Sequence, residues 1–597
     1  MTQEASSTNV TVSSRRRYNI LLLCVAGLGG LLYGVDVGII GGALPYLEVT
    51  SHFDAARLST IVAAVLLGSV ISTVFAGLLA DWFGRKPLMF ISGLVFVVSI
   101  PLIALSRGYE ALLIGRLLQG ISGGFIGVVV PLYLAECLVS NTRGKGTAVF
   151  QWLLTFGIVA AALIGMYYSY RVRAVAASGN ASDLFNVQNN AWRHIFWVSL
   201  PPGVLFAIGS LFVAESPRWL FRRGDREKAL ASLLRSRNIG AANLELAKMA
   251  VVAIQPDAAR KSTGTLFRRK YVVPFLLACV ILACNTATGI NSIIGYNTNI
   301  LLQSGLSDIA SHWGYVIFTT INFLMTLVGM VLVDRKGRRF LLVLGTSGVM
   351  LSLVAIAVLF HQTERNDLEV GPAVQKLVTS SSDLKLSFSE PVAEKLLSAS
   401  GYRDNGNLAS HASLAIIYSY GGFTGATTYV RSDDPGVAPI RITRDDSIPA
   451  NEVKAFFVNP FADLNAAQTA PLKIERARIG LIPSSRHGYM VALALFAFVA
   501  CYATGPGVCV WLALSELMPT RIRSVGMSIA LVLNQLVSTI LAVLFLPIVS
   551  KHGYAQMFLL FAGFTVIYIL TAAFFLPETK GKTLEEVEQY FEGSAIS

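Results

Sequence analysis

The sequence predicts an all-α polytopic membrane protein with twelve transmembrane helices arranged as two six-helix halves. Three observations predict this fold class. The 597 residues are 54% hydrophobic and only 14% charged, and the mean hydropathy is +0.60. Apolar stretches long enough to cross a bilayer recur along the chain, and polar motifs beside the first six recur beside the last six. Charge this sparse cannot cover the surfaces of several soluble domains.

Twelve apolar windows, called spans 1 to 12, define the elements in order. They lie near residues 20–44, 57–80, 88–106, 110–135, 148–170, 193–214, 271–302, 311–333, 340–361, 489–514, 525–549 and 554–576. The predicted divisions are an N-terminal arm (1–18), a first half (19–214), a linker with short helices (215–270), spans 7–9 (271–361), an insert (362–486), spans 10–12 (487–576) and a C-terminal tail (577–597).

Basic side chains concentrate in three polar segments of the chain. These are GRKP (84–87), the stretch 216–270 and DRKGRR (334–339), whereas 362–486 is nearly charge-balanced. The positive-inside rule then predicts that these basic segments and both termini are cytoplasmic, in a protein of the cell membrane. Because topology explains the net charge of +13, no nucleic-acid partner is expected.

The six cysteines lie in or beside apolar spans, and none forms a CxxC pair. This pattern gives neither a disulfide framework nor a zinc site, so no metal ion is expected. The sequence also lacks a nucleophile or metal constellation that would indicate an enzyme.

An internal repeat relates the two halves of the chain. GLLADWFGRKPL (77–88) is echoed by MVLVDRKGRRFL (330–341), and AESPRW follows span 6 much as LPETKGK follows span 12. Glu–Arg pairs with the same spacing also recur, at Glu136 with Arg143 and at Glu516 with Arg523. Two parallel copies joined by a basic linker predict a transporter with its site between the halves, near the membrane midplane.

The motifs identify the chain by resemblance as a member of the sugar porter family of the major facilitator superfamily. They are DWFGRKP, GRLLQGISGG, PLYLAE, RGKGTAVFQ, ESPRWL, GIN, DRKGRR, WLALSE and PETKGKTLEE, in the family's order. The resemblance implies the major facilitator fold and proton-coupled import of a sugar or polyol by alternating access. We expect no cofactor besides the proton as coupling ion, and a chain that functions as a monomer in the bilayer.

Charged residues at helix ends suit a cytoplasmic gate, because water rehydrates them when the gate opens. In the first half the candidates are Asp81, Arg85, Glu136, Arg143, Glu215 and Arg218. Asp334, Arg338, Glu516 and Arg523 mirror them in the second half. The alternative for any one of these charges is that it only sets the orientation of the chain in the membrane.

Asp36 is an acid inside an otherwise apolar stretch, GGLLYGVDVGIIGG, and span 4 carries one cation, Arg116. Such residues usually face a bundle interior, and pairing makes them tolerable there. Their positions in oppositely directed helices predict similar depths. In the resemblance, Asp36 matches the proton-binding carboxylate of symporters and Arg116 matches its partner. A purely structural ion pair is the alternative.

Span 7 is unusually polar, CNTATGINSIIGYNTN, and Gly289 is expected to break or bend it. Neutral amides suit hydroxyl-rich ligands because each offers donors and an acceptor without charge. The candidate substrate contacts, several of them matched through the resemblance, are Gln151, Asn285, Thr286, Asn291, Asn322, Trp511 and Asn534. Helix–helix bonding is the alternative for each amide.

The pocket departs from the family pattern at Asn285, Thr286, Gly295, Pro506 and Gln535, where the family has other amides or aromatic residues. Shorter amides and fewer aromatic rings leave a hexose, a larger saccharide, a pentose and a cyclitol all open.

The insert between spans 9 and 10 is predicted to be extracytoplasmic and β-rich or mixed, with a partner that the sequence does not indicate. Its strand-like segments are 384–389, 412–420, 439–444 and 472–481. Two alternatives to the coupled transporter stay open: a transporter-like nutrient sensor, and an uncoupled carrier of a sugar or cyclitol.

Overall fold

The computed structural model describes residues 12–51, 53–138, 140–177, 180–254, 269–379, 382–402, 408–433, 439–459, 461–518, 523–578, 586 and 590–591. Twelve of its helices are long and apolar enough to cross a membrane, which confirms the predicted all-α fold class. Because lipid offers no partner to backbone N–H and C=O groups, the helix is the form in which such spans satisfy them.

The first six spans are formed by helices Val12–Thr50, Ala55–Phe83, Arg85–Ala104, Tyr109–Cys137, Ser140–Ala176 and the pair Ala181–Trp197 and Leu200–Phe212. Short helices follow in the linker at Pro217–Arg222, Arg226–Ser236 and Ile239–Ile254. Span 7 comprises Arg269–Ala287, Ile290–Gly295 and Asn297–Gln303, and spans 8 and 9 are Asp308–Lys336 and Arg338–Glu364. Span 10 comprises Ser485–Thr504 and Pro506–Leu517, span 11 is Arg523–His552, and span 12 is Tyr554–Leu570 with a π-helix at Thr571–Phe575.

The two halves meet where span 2 packs on span 11 and span 5 packs on span 8. One end of the bundle carries the linker and the loops at 84 and 337, and we call it the basic face. The opposite end carries the segment between spans 9 and 10, and we call it the insert face.

Three helices begin at a glycine that faces a carboxylate. Span 3 follows Gly84, span 9 follows Gly337, and span 12 follows Gly553, each with φ between 93° and 98°. A Cβ at these glycines would lie 2.3–2.5 Å from oxygens of Glu215, Glu578 and Glu364, respectively. Each carboxylate accepts bonds from free N–H groups of the helix that it faces. Positive φ and the close carboxylate together require glycine at these ends.

The insert is a mixed α/β unit with its own hydrophobic core. Its strands are β1 (Leu368–Glu369), β2 (Leu384–Leu386), β3 (Ala412–Tyr420), β4 (Phe423–Ala426), β5 (Val430–Arg431), β6 (Ile440–Ile442) and β7 (Leu472–Leu481). They form an antiparallel sheet in the order β1-β7-β3-β4, with β5 beside β3, and a separate β2–β6 pair. Five short helices complete it: Gly371–Gln375, Glu390–Ala399, Arg444–Ser447, Glu452–Val458 and Leu464–Thr469.

Each strand-like segment of the sequence contains a strand: β2, β3, β6 and β7. The long pair β3 and β7 is the centre of the sheet. β1 begins four residues after span 9 ends, and β7 ends four residues before span 10 begins. The insert is therefore attached to the second half at both of its ends.

Burial raises the pKa of Asp367, at the base of the insert, from its ordinary value of 3.8 to about 6, although Arg478 opposes part of the rise. The folded state thus prefers the protonated acid, and stability falls as pH rises from about 4 to about 6. We expect Asp367→Asn to stabilise the protein relative to wild type at pH 7.5, with a smaller gain at pH 4.5. Thermal melting of both proteins at the two pH values measures this. The exposed Asp445→Asn is the control, and equal shifts for the two variants would contradict the prediction.

Candidate functional site

Asp36 lies in the interior of the bundle, with 0% of its surface exposed. Its carboxylate lies against span 4 at Gly123, where a Cβ would come within 2.7 Å of Asp36 Oδ2. Neither carboxylate oxygen has a hydrogen-bond partner in the described part of the chain. Burying an ionised carboxylate in this way is costly.

Arg116 is also buried, with 1% exposure, but it does not contact Asp36 directly. Its Nη1 donates to Gln119 Oε1 at 2.6 Å, and its guanidinium lies 5.5 Å from the centre of the Phe196 ring. Arg116 and Gly123 are two helical turns apart on span 4, so Asp36 contacts that helix away from the cation. The predicted Asp36–Arg116 contact is therefore not formed in this structure.

Span 7 breaks at Gly289, as the sequence predicted. Gly289 has φ +84°, and a Cβ there would lie 2.5 Å from the ring of Phe561. The break presents amide and hydroxyl groups to span 11: Asn291 Nδ2 donates to Ser538 Oγ at 2.7 Å, and Thr286 Oγ1 donates to the Asn534 carbonyl at 3.1 Å. The structure thus brings three of the predicted substrate residues on spans 7 and 11 together.

Asn285 Nδ2 donates to the Tyr502 hydroxyl of span 10 at 3.1 Å. The Oδ1 atoms of Asn285 and Asn534 are buried without a partner among the described residues, which leaves two acceptors in this region. Tyr502 and Ser538 were not predicted from the sequence, since a lone tyrosine or serine in an apolar span carries no periodic signal.

Gln151 on span 5 and Asn322 on span 8 lie where the halves pack, beside the Trp152–Phe323 ring contact with centroids 5.5 Å apart. Neither side-chain amide has a hydrogen-bond partner in the described chain, so both are free to bind a ligand. The structure does not join them to the span 7 amides. The side chain of Trp511 lies outside the described residues.

A buried ion cluster holds the first half together at the basic face. Arg85 Nη2 donates to Glu136 Oε1 at 2.9 Å, and the same nitrogen lies 3.0 Å from Asp81 Oδ1. Glu215 accepts the backbone N–H groups of Arg85 and Lys86. Burial raises the pKa of the Glu215 carboxyl, and these backbone bonds oppose the rise.

The second half repeats the arrangement. Arg338 Nη2 donates to Glu516 Oε1 at 3.1 Å, and Glu578 accepts the N–H groups of Arg338 and Arg339. Glu578 is thus the counterpart of Glu215, which the sequence analysis missed although PETKGK contains it. The two equivalent clusters follow from the internal repeat.

Arg218 does not join the first cluster, which corrects the prediction. It lies 3.7 Å from Glu245 of the linker, because the helix Ile239–Ile254 brings a carboxylate near it. Arg222, one turn further on, lies 3.6 Å from Asp81 and 3.7 Å from Glu136. The side chains of Arg143, Asp334 and Arg523 are outside the described residues.

Hydrogen bonds between the two halves gather toward the insert face. The Tyr315 hydroxyl donates to the Gly38 carbonyl at 2.7 Å, and the Tyr296 hydroxyl donates to Ser59 Oγ at 3.1 Å. Tyr46 and Ser169 of the first half both donate to Asp308 of the second. These contacts close the bundle at the insert face.

Twelve spans in two repeated halves, buried charges within the halves and contacts that close one face define a membrane transporter of the major facilitator type. A family model described as "Sugar (and other) transporter" matches residues 22–377 and 475–591. The chain belongs to this family.

Curated relatives cover nearly the whole chain. The human proton myo-inositol cotransporter is 25% identical over 577 residues, which is 95% of this chain and 81% of that protein. The glucose transporter GlcP of Staphylococcus epidermidis is 25% identical over 571 residues, 95% of this chain and 96% of that one. Among solved structures, the xylose transporter XylE from E. coli in an inward open conformation matches with a TM-score of 0.63 at 20% identity, covering 96% and 100% of the two chains.

The buried pair Arg85–Glu136 should contribute strongly to stability. Glu136→Gln leaves the buried guanidinium of Arg85 without its main counter-charge, so we expect a loss of about 3 kcal/mol in the free energy of unfolding. Glu110→Gln removes an exposed pair with Lys454 and should cost less than about 1 kcal/mol. Unfolding of the purified protein by denaturing detergent measures both, and a loss for Glu136→Gln as small as that expected for Glu110→Gln would show that the Arg85–Glu136 pair is dispensable.

Proposed function

We propose that this chain is a proton-coupled importer of a neutral sugar or polyol that works by alternating access between its two halves. The observation that carries the proposal is Asp36, a carboxylate buried against span 4 of its own half without a hydrogen-bond partner among the described residues. A group so placed is far more easily buried as the neutral acid than as the anion, which suits uptake and release of a proton.

Arg116 supports a transport cycle in which the protonation of Asp36 depends on the distance between these two side chains. Its guanidinium is bound to Gln119 and lies over Phe196, and a movement of span 1 against span 4 would bring the two charges together. A nearby guanidinium favours the ionised carboxylate, and its withdrawal favours the protonated form. The proton site and the rearrangement of the helices are thereby linked.

The lining of span 7 supports a neutral, hydroxyl-rich substrate. The free acceptors of Asn285 and Asn534 and the amides of Gln151 and Asn322 carry no charge, and they can bond to hydroxyl groups. Relatives named for myo-inositol and for glucose agree with this class. We expect no enzymatic step, metal ion or further cofactor.

The orientation follows from charge. Basic side chains crowd the face that holds the linker, so we place that face and both termini in the cytoplasm, and the insert outside. Closure at the insert face then corresponds to an inward-facing state.

Asp36→Asn should abolish accumulation of substrate against its gradient while sparing exchange across the membrane. The amide is nearly isosteric with the acid but cannot cycle a proton, so the contribution of about 2.3 kcal/mol per 100 mV of membrane potential disappears. Accumulation and counterflow in proteoliposomes measure the two activities. Unchanged accumulation by the variant would show that Asp36 is not the coupling site.

Asn291→Ala should weaken binding of the substrate by about fivefold to a hundredfold, since a lost amide leaves polar groups unpaired at ~1–3 kcal/mol. Melting-temperature shifts against sugars, polyols, carboxylates and amines identify the ligand and rank the variant. Asn459→Ala, in the insert, is the control. A response to a charged ligand alone would refute the proposed substrate class.

A further inference from the structure

A cavity of about 520 Å³ lies between the insert and the insert-face ends of the spans. Its walls come from three parts of the chain: Tyr46 and Gln188 in the first half, Asn299 in the second, and Tyr418, Tyr429 and Arg431 in the insert. The cavity lies directly outside the contacts that close the bundle, since its wall residue Tyr46 also bonds to Asp308. This volume lies within the range usual for small-ligand pockets, so the cavity can hold a molecule of sugar size.

The charges in the cavity wall neutralise one another. Arg57 Nη1 lies 3.3 Å from Asp446 Oδ1, which joins span 2 to the insert. Arg431 binds Asp433 with two nitrogen–oxygen contacts of 2.9 Å, and it also donates to the Leu302 carbonyl at 3.0 Å. The cavity is lined by four bases and five acids, namely Arg57, Arg173, Arg431 and Arg441 with Glu48, Asp54, Asp308, Asp433 and Asp446. Its formal charge is therefore nearly balanced, and it has little net attraction for an ion.

Polar capacity remains in the wall after these pairs are formed. The Oε1 atom of Gln188 and the Oδ1 atom of Asn299 are unpartnered among the described residues, and these side chains are only 6% and 5% exposed. Both side chains line the cavity. Their two oxygens are covered in this arrangement, and rotation of each terminal amide would present them to the hydroxyl donors of a ligand. Tyr418 and Tyr429 add aromatic surface, against which the C–H face of a ring can pack.

We propose that this cavity is a second binding site, separate from the central one, for a neutral hydroxyl-rich molecule of the transported class. The inference rests on the proposed substrate class but not on proton coupling. The site receives substrate between the insert and the closed spans. Its walls belong to both halves, so it exists in this form only while the insert face is closed.

Hydrogen exchange of the full-length protein in lipid nanodiscs tests the site, with D-glucose and myo-inositol as probes. We expect a probe to protect the insert wall (423–431) and, separately, the central segment (285–291). Gln188→Leu and Tyr429→Ala should raise the half-saturating concentration for the insert wall by about fivefold and leave the central segment unchanged. Gln362→Leu and Tyr402→Ala, at exposed positions away from the cavity, are the matched controls.

Asn291→Ala separates the two sites. It should weaken protection of 285–291 while protection of 423–431 persists. Loss of protection at both segments would show that protection of the insert wall depends on ligand at the central site. The proposal would equally be overturned if neither probe protected the insert wall. It would also be overturned if Gln188→Leu and Tyr429→Ala left that protection unchanged. If a probe protected only the insert wall of the wild-type protein, the result would support the second site and refute the central one.

Discussion

The buried carboxylate of Asp36 is the feature that most constrains how the helices of the bundle can be arranged. It is buried in apolar helices, it lies against span 4 at Gly123, where the missing side chain leaves room, and it has no hydrogen-bond partner in the described chain. Burying such a group without a partner costs free energy. The nearby Arg116 donates to Gln119 instead, and in the proposed cycle a second arrangement would pair it with Asp36.

Two-fold repetition explains how such a rearrangement can occur without unfolding. Each half has its own ion cluster at the basic face, around Arg85 or Arg338, so each can move as a rigid body. Contacts between the halves gather at the opposite face, around Tyr296, Tyr315 and Asp308. Since the insert is continuous with the second half at both ends, its bond from Asp446 to Arg57 would break if that face opened as the proposed cycle requires.

The span pattern, the break at Gly289 and the strands of the insert were predictable because hydrophobic periodicity and glycine act locally. The charges Arg85, Glu136, Arg338 and Glu516 were predictable as a set because the repeat marks them twice, but which acid meets which base was not. The choice between Arg218 and Arg222 was not, since it depends on where the linker places Glu245. Neither was the distance between Asp36 and Arg116, which depends on how far span 1 slides against span 4.

Tyr502 and Ser538 show a further limit of the sequence. Their significance lies in partners on span 7, and helix packing alone decides which residues of different spans meet. The cavity beneath the insert is of the same kind: its walls are far apart in the chain, and only the docking of the insert on the bundle joins them.

The most direct test of the account is the movement of protons with substrate in the wild-type protein. Weakly buffered proteoliposomes, clamped at zero membrane potential, would receive a sugar or polyol that binds, while the external pH is recorded. Coupled import predicts that the external solution becomes alkaline in proportion to the substrate taken up. Substrate entry at the same rate with no pH change would contradict the central role assigned to Asp36 and would identify an uncoupled carrier.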